Sequence, residues 1–142
     1  MPYATYADLI DAHDEQYIIQ LSDDNKDGIA DPAVIAKAIA SADADINARI
    51  SNRFAVPLNP VPALATSLSS LLAIGILYSR RGMDKPDAVK EDVKAAHALL
   101  DRIGEGKANW GEASSPTADS TSLDVRMTSQ TRVFDRTSLK GF

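Results

Sequence analysis

The segment from Phe54 to Ser79 carries no charged side chain, and this limits the possible folds more than any other feature of the chain. Its second part, Val61 to Tyr78, places leucine and isoleucine almost all round a helix, which predicts a helix buried on every side. A membrane span needs roughly 20 apolar residues, so the length alone permits one. Hydroxyl side chains, Gly75 and Pro62 lower the hydropathy here, so we expect the central helix of a folded core and no membrane.

Two more long helices are predicted on either side of this segment. Asp31 precedes a proline, a pairing typical of a helix start, and apolar residues then recur at steps of three and four over residues 32–52. Over residues 86–104 the apolar residues step in the same way, while charged residues occupy the other face. Three prolines within residues 55–62 predict a connector between the first long helix and the central one.

Shorter signals complete the helical pattern. Thr5 and Asp8 form a capping-box sequence that predicts a short helix, and a second short helix is expected over residues 15–21. Arg80, Arg81 and Gly82 are typical of the end of a helix, here the central one. Aromatic residues make up only 6% of the 142 residues, which favours packing of helices over a sandwich of sheets. We therefore predict an all-α fold, a small helical bundle with a long extended C-terminal arm.

The predicted organisation has three parts: a helical body over residues 1–110, a polar linker over 111–122 and an arm over 123–142. The arm carries apolar side chains that no single helix or strand period joins into one face, and its net charge is +2. We expect it to dock on the body, on a neighbouring copy or on another protein. The candidate interface residues are Trp110, Leu123, Val125, Met127, Arg132, Val133, Phe134, Arg136, Leu139 and Phe142. Trp110 could instead be a lid over one end of the bundle, and the sequence leaves both alternatives open.

Charge is distributed unevenly along the chain. Residues 1–31 contain eight acidic residues against Lys26, a net charge of −7, whereas the whole chain carries −5. Duplex DNA binding needs a stripe of lysine and arginine facing the phosphates, so this distribution argues against it. An acidic pole suits a basic protein surface or a cation.

The loop from Asp23 to Asp31 resembles part of a calcium-binding loop. Oxygen side chains stand at relative positions 1, 3, 5 and 9, a glycine stands at position 6, and a main-chain carbonyl is available at position 7. The candidate calcium ligands are Asp23, Asn25, Asp27, Ile29 and Asp31. Val34 replaces the bidentate glutamate of position 12, so any affinity should be weak. The alternative is an ordinary turn, since Asp, Asn and Gly are common in turns.

Catalytic patterns are absent from the sequence in any specific form. His13 and His97 are the two histidines, and we place His97 at a packing border. The pair Asp43 and Asp45 is interpreted as part of a solvated helix face. With no cysteine, no glycine-rich phosphate loop and no serine elbow, we expect neither an enzyme nor a cofactor, apart from the candidate calcium ion.

Four segments together resemble the small head-region protein of Mu-like phages and prophages. They are Tyr-Ala-Thr-Tyr-Ala-Asp-Leu-Ile near the N-terminus, the loop Leu-Ser-Asp-Asp-Asn-Lys-Asp-Gly-Ile-Ala-Asp, the helix end Asn-Arg-Phe-Ala-Val-Pro-Leu, and Arg-Val-Phe-Asp-Arg-Thr-Ser-Leu-Lys-Gly-Phe in the arm. The resemblance runs over nearly the whole chain and carries no catalytic motif. It implies a protein similar to the head–tail connector (adaptor) proteins of long-tailed phages.

What the resemblance implies is a structural role in the virion. Such adaptors form a homo-oligomeric ring of about twelve subunits between the portal protein and a tail-side neck protein. DNA passes through the ring without specific binding. The expected location is the virion neck, after assembly in the host cytoplasm. Two alternatives stay open: a tail-terminator or minor capsid-completion protein, and a calcium-responsive regulatory module.

Overall fold

Five α-helices, and no strand, form the part of the chain that the structure describes, residues 1–111. In this computed structural model the helices are α1 (Tyr6–Ala12), α2 (Glu15–Ser22), α3 (Pro32–Ile50), α4 (Ala63–Arg81) and α5 (Asp87–Gly104). The all-α prediction is confirmed. The arm and all of the linker except Gly111 lie outside the described residues.

The uncharged segment forms the central helix, as predicted. α4 packs against all four other helices, and its most extensive contact is with α3. The side chains of Ile74 and Leu77 are fully buried in the resulting core. By length and composition α4 is also a helix that could cross a membrane, and half of it is buried inside the described bundle. A core helix of a folded domain satisfies the same criteria.

The helix ends follow the local signals in the sequence. Thr5 caps α1 in a complete capping box with Asp8, and the Asp31 carboxylate accepts a hydrogen bond from the amide of Ala33 at the start of α3. Gly82 ends α4 with a φ of 64°, the left-handed conformation that glycine adopts most easily. α3 ends at Ile50, two residues before the predicted end, because the chain turns towards the proline-rich connector.

α5 approaches α4 closely at Gly75. A Cβ atom built on Gly75 would lie 2.7 Å from a methyl group of Val93, so a larger residue there would push the two helices apart. On its other side α5 is joined to α3 by Arg49, whose Nη1 lies 2.7 Å from Asp101. Gly75 therefore permits the close packing of α4 against α5.

A partly buried hydrogen-bond network corrects the interpretation of Asp43 as a solvated helix-face residue. The Asp43 carboxylate accepts hydrogen bonds from the amide of Tyr3, at 3.0 Å, and from the hydroxyl of Ser69, at 2.6 Å. It thus joins the N-terminal segment, α3 and α4. The hydroxyl of Tyr3 in turn donates to Asn47 and accepts from the amide of Leu58, which fixes the connector against α3. Burial is the main cause that raises the pKa of Tyr3, so the phenol stays protonated.

Tyr3→Phe is expected to lower the free energy of unfolding by about 2 kcal/mol, because it leaves the buried amide of Leu58 without an acceptor. Chemical denaturation followed by circular dichroism measures the change. Tyr17→Phe is the matched control, since Tyr17 is 57% exposed, and it should have almost no effect. Equal stability of the two variants would contradict the role given to the Tyr3 hydroxyl.

Candidate interaction surface

An apolar groove runs between the N-terminal segment and one side of α3. Its volume is about 720 Å³. Pro2, Ala4 and Tyr6 form one wall, and Ile35, Ala36, Ile39, Ala40 and Ala44 of α3 form the floor. The backbone position of the wall is set by the hydrogen bond from Tyr3 to Asp43. The groove is thus a built feature of the fold, of a size that other proteins use to bind ligands or peptide segments.

The exposed face of α3 differs from that of an ordinary surface helix. Among its exposed residues only Lys37 is charged, and the others are mostly alanines, including Ala36, Ala40 and Ala44 on the groove floor. On α5, by contrast, the exposed residues are mostly charged. Small uncharged side chains let another segment approach the helix backbone closely. The α3 groove, meaning this floor and the wall formed by the N-terminal segment, is therefore our candidate interaction surface.

Trp110 closes one end of the bundle. It is 2% exposed, and its ring meets the ring of Phe54 edge to face, with the centroids 6.1 Å apart. In the described bundle Trp110 thus covers the end of the core, and a role of this residue at an interface stays a prediction. Arg53 fixes the same end, because its Nη1 donates to the carbonyl oxygens of Ile103 and Ala108 at 3.1 and 3.2 Å.

The indole N–H of Trp110 has no acceptor within the part of the chain that the structure describes. It is the single buried side-chain nitrogen or oxygen there that lacks a hydrogen-bond partner. A buried donor without a partner costs about 1–3 kcal/mol. The position is notable because the linker begins at the next residue.

The loop proposed as a calcium site is an ordered turn. The Asp23 carboxylate accepts hydrogen bonds from the amides of Lys26 and Gly28 at 2.6 and 2.9 Å, and Asp27 accepts one from the amide of Ile29. Asp31 caps α3. No group of three or more acidic or histidine side chains suited to a metal occurs among residues 1–111. Calcium binding stays a prediction, and a rise in melting temperature with calcium that Asp27→Ala abolishes would establish it.

Two arginines at the end of α4 hold this loop, a role that the sequence analysis did not identify. Arg80 forms an ion pair with Asp24, and Arg81 donates to the main-chain carbonyl oxygens of Leu21 and Asp23. The hydrogen bond from Arg80 is the main cause that lowers the pKa of Asp24. These two positive charges would oppose a divalent cation in the same loop.

The loop predicts a dependence of stability on pH. The hydrogen bond from the amide of Gly28 is the main cause that lowers the pKa of Asp23. A carboxyl group whose pKa is lowered by folding stabilises the protein above its unfolded pKa of about 4, and this contribution is lost as the pH falls through the folded value. Asp23→Asn should therefore show a smaller fall in melting temperature between about pH 5 and pH 3 than the unmodified protein. Asp11→Asn, on an exposed face of α1, is the control, and an identical fall in both variants would contradict the account.

The other predicted site residues can now be placed. His97 lies at the border of α5, as expected, with its Nε2 2.8 Å from a carboxylate oxygen of Asp45. Asp45 also pairs with Arg49, so it is part of the contact between α3 and α5. The remaining candidate interface residues, those from Leu123 to Phe142, lie outside the described residues. The α3 groove was missed, although alanines at every fourth position of α3 were a visible signal.

The fold places the chain in the class of small all-α proteins built round one apolar central helix. A family model described as "Bacteriophage Mu, Gp36" matches residues 3–129. The chain therefore belongs to the Bacteriophage Mu Gp36 family and is a Mu-like phage protein. The match covers the body, the linker and the first residues of the arm. A comparison with curated proteins gives no significant match.

Proposed function

We propose that this protein is a structural component of the virion, a subunit of the head–tail connector ring that joins the portal to the tail. Membership of a Mu-like phage family supports a role in the phage life cycle. The observation that carries the proposal further is the exposed face of α3, which is almost uncharged beside the apolar groove. A closed ring needs such a surface on every subunit, because each copy must bury a patch against the next one.

The distribution of charge is compatible with a channel for DNA. The body is acidic, with a net charge of −7 over residues 1–31. An acidic wall repels phosphates, so DNA would pass the ring without being held. In this proposal the role is structural, and no residue acts catalytically.

Reconstitution with the portal protein of the same phage tests the proposal. We expect the purified protein to form a closed ring on the portal, visible by electron microscopy. We also expect it not to bind added DNA. Ala44→Glu, which puts a charge on the exposed face of α3, should prevent ring closure, whereas Ala98→Glu on the exposed face of α5 should not. Binding to the tail tube in place of the portal would overturn the proposal in favour of a tail terminator.

A further inference from the structure

We propose that, in the free subunit, residues 123–142 occupy the α3 groove of the same molecule. The groove floor exposes the methyl groups of Ala36, Ala40 and Ala44 above the buried Ile35 and Ile39, an apolar surface that is unfavourable to leave in water. The arm presents apolar side chains with the same need, among them Phe134 and Phe142. Phenylalanine side chains bury roughly 150–250 Å² each, so two of them in the groove would cover a large apolar area. This inference does not depend on the proposed connector role.

The length of the linker permits this docking. The described chain ends at Gly111, next to the lid residue Trp110, which packs on Phe54 just beyond the C-terminal end of α3. From the end of α3 at Ile50, the groove residues from Asn47 back to Ile35 lie about 5 to 23 Å away along the helix, at 1.5 Å per residue. Residues 112–122 can span up to about 36 Å when extended. The arm can therefore reach the groove of its own molecule without strain.

The place of the arm in the chain favours it over a second body as the occupant. The arm is joined to the end of its own body, next to Trp110, by residues 112–122. Attachment through a short segment gives a binding group an effective concentration in the millimolar range, which favours its own groove over that of another copy at ordinary protein concentrations.

The indole N–H of Trp110 gives a second reason to expect the chain to turn back on the body. This buried donor lacks an acceptor among residues 1–111, and the linker begins at the next residue. A chain that runs from Gly111 directly into solvent would leave this buried N–H without an acceptor. A chain that returns over the lid towards α3 could place a main-chain carbonyl oxygen there.

The consequence is a switch in the availability of the α3 face. While the arm occupies the groove, the same alanines cannot meet a neighbouring subunit. A partner that binds the arm more tightly than the groove does would release the arm and, at the same time, expose the α3 face. Binding of the arm and association through α3 are then coupled events.

Amide hydrogen exchange of the full-length protein tests the inference. We expect the amides of residues 123–142 to exchange about tenfold more slowly than those of an unstructured chain, at protein concentrations well below and well above 10 µM alike. Ala40→Glu, which places a carboxylate on the groove floor, should return them to unprotected rates. Ala98→Glu is the matched control, since it makes the same change at an exposed alanine of α5, and it should preserve the protection. Circular dichroism shows whether each variant is folded, and Ala44→Glu provides a second groove variant.

Three results would overturn the inference. An arm that exchanges at unprotected rates in the unmodified protein has no docking site. Protection that appears only at high concentration, together with a doubled mass, would assign the groove to the arm of a second copy. Protection that survives both Ala40→Glu and Ala44→Glu would place the arm elsewhere on the body.

Discussion

Removal of residues 123–142 is expected to leave a folded helical body and to abolish its incorporation into phage particles. The buried apolar residues of the described core all lie between Tyr3 and Trp110, so the helices have their own core. The arm holds seven further apolar side chains and, in our proposal, supplies the contact that fixes the subunit in the virion. Circular dichroism and thermal unfolding of the truncated protein measure the first effect. Complementation of a gene deletion with the truncated gene measures the second.

The full-length variant Phe134→Ser is the accompanying test, because it keeps the length and the charge of the arm. It should reduce incorporation while leaving the melting temperature of the body nearly unchanged. If the truncated chain unfolds, the arm completes the core of its own molecule. If truncated protein enters particles at the normal level, the arm has no part in assembly.

Leu77→Ala is expected to lower the free energy of unfolding by about 3 kcal/mol. Leu77 lies in α4 with no exposed surface, so the substitution removes buried apolar contacts and leaves a cavity that the surrounding helices cannot close. Small domains are stable by only about 5–15 kcal/mol, so the loss is a large fraction of the total. The melting temperature should fall by roughly 10–20 °C.

Leu71→Ala is the control for this prediction. Leu71 lies in the same helix and is only partly buried, so the same change of side chain should cost about 1 kcal/mol. Chemical denaturation of both variants gives the two free energies. Equal losses would contradict the central position of Leu77 in the core.

The helices could be predicted from the sequence because their signals are local. The proline after Asp31, the capping box at Thr5 and the glycine at position 82 each fix a helix end through the geometry of a few neighbouring residues. The uncharged segment likewise predicted the central helix, because a helix that is apolar on all sides must be surrounded by other helices to exclude water. The all-α prediction therefore rested on physical requirements that do not depend on the rest of the chain.

The contacts that build the candidate site could not be predicted in this way, because they join residues far apart in sequence. Asp43 looked like a solvated carboxylate, and only the packing of Tyr3 and Ser69 against α3 makes it a half-buried acceptor of two hydrogen bonds. Arg80 and Arg81 were expected to do no more than end a helix, whereas they bind the loop between α2 and α3. The groove depends on the path of the N-terminal segment, which carries no periodic signal.

Electron microscopy of particles from a phage that lacks this one gene tests the connector proposal most directly. We predict DNA-filled heads beside complete tails that are not attached to them, and restoration of joined particles when the gene is supplied in trans. Normal virions in the absence of the gene would contradict the proposal, because a ring between portal and tail cannot be absent from an assembled particle.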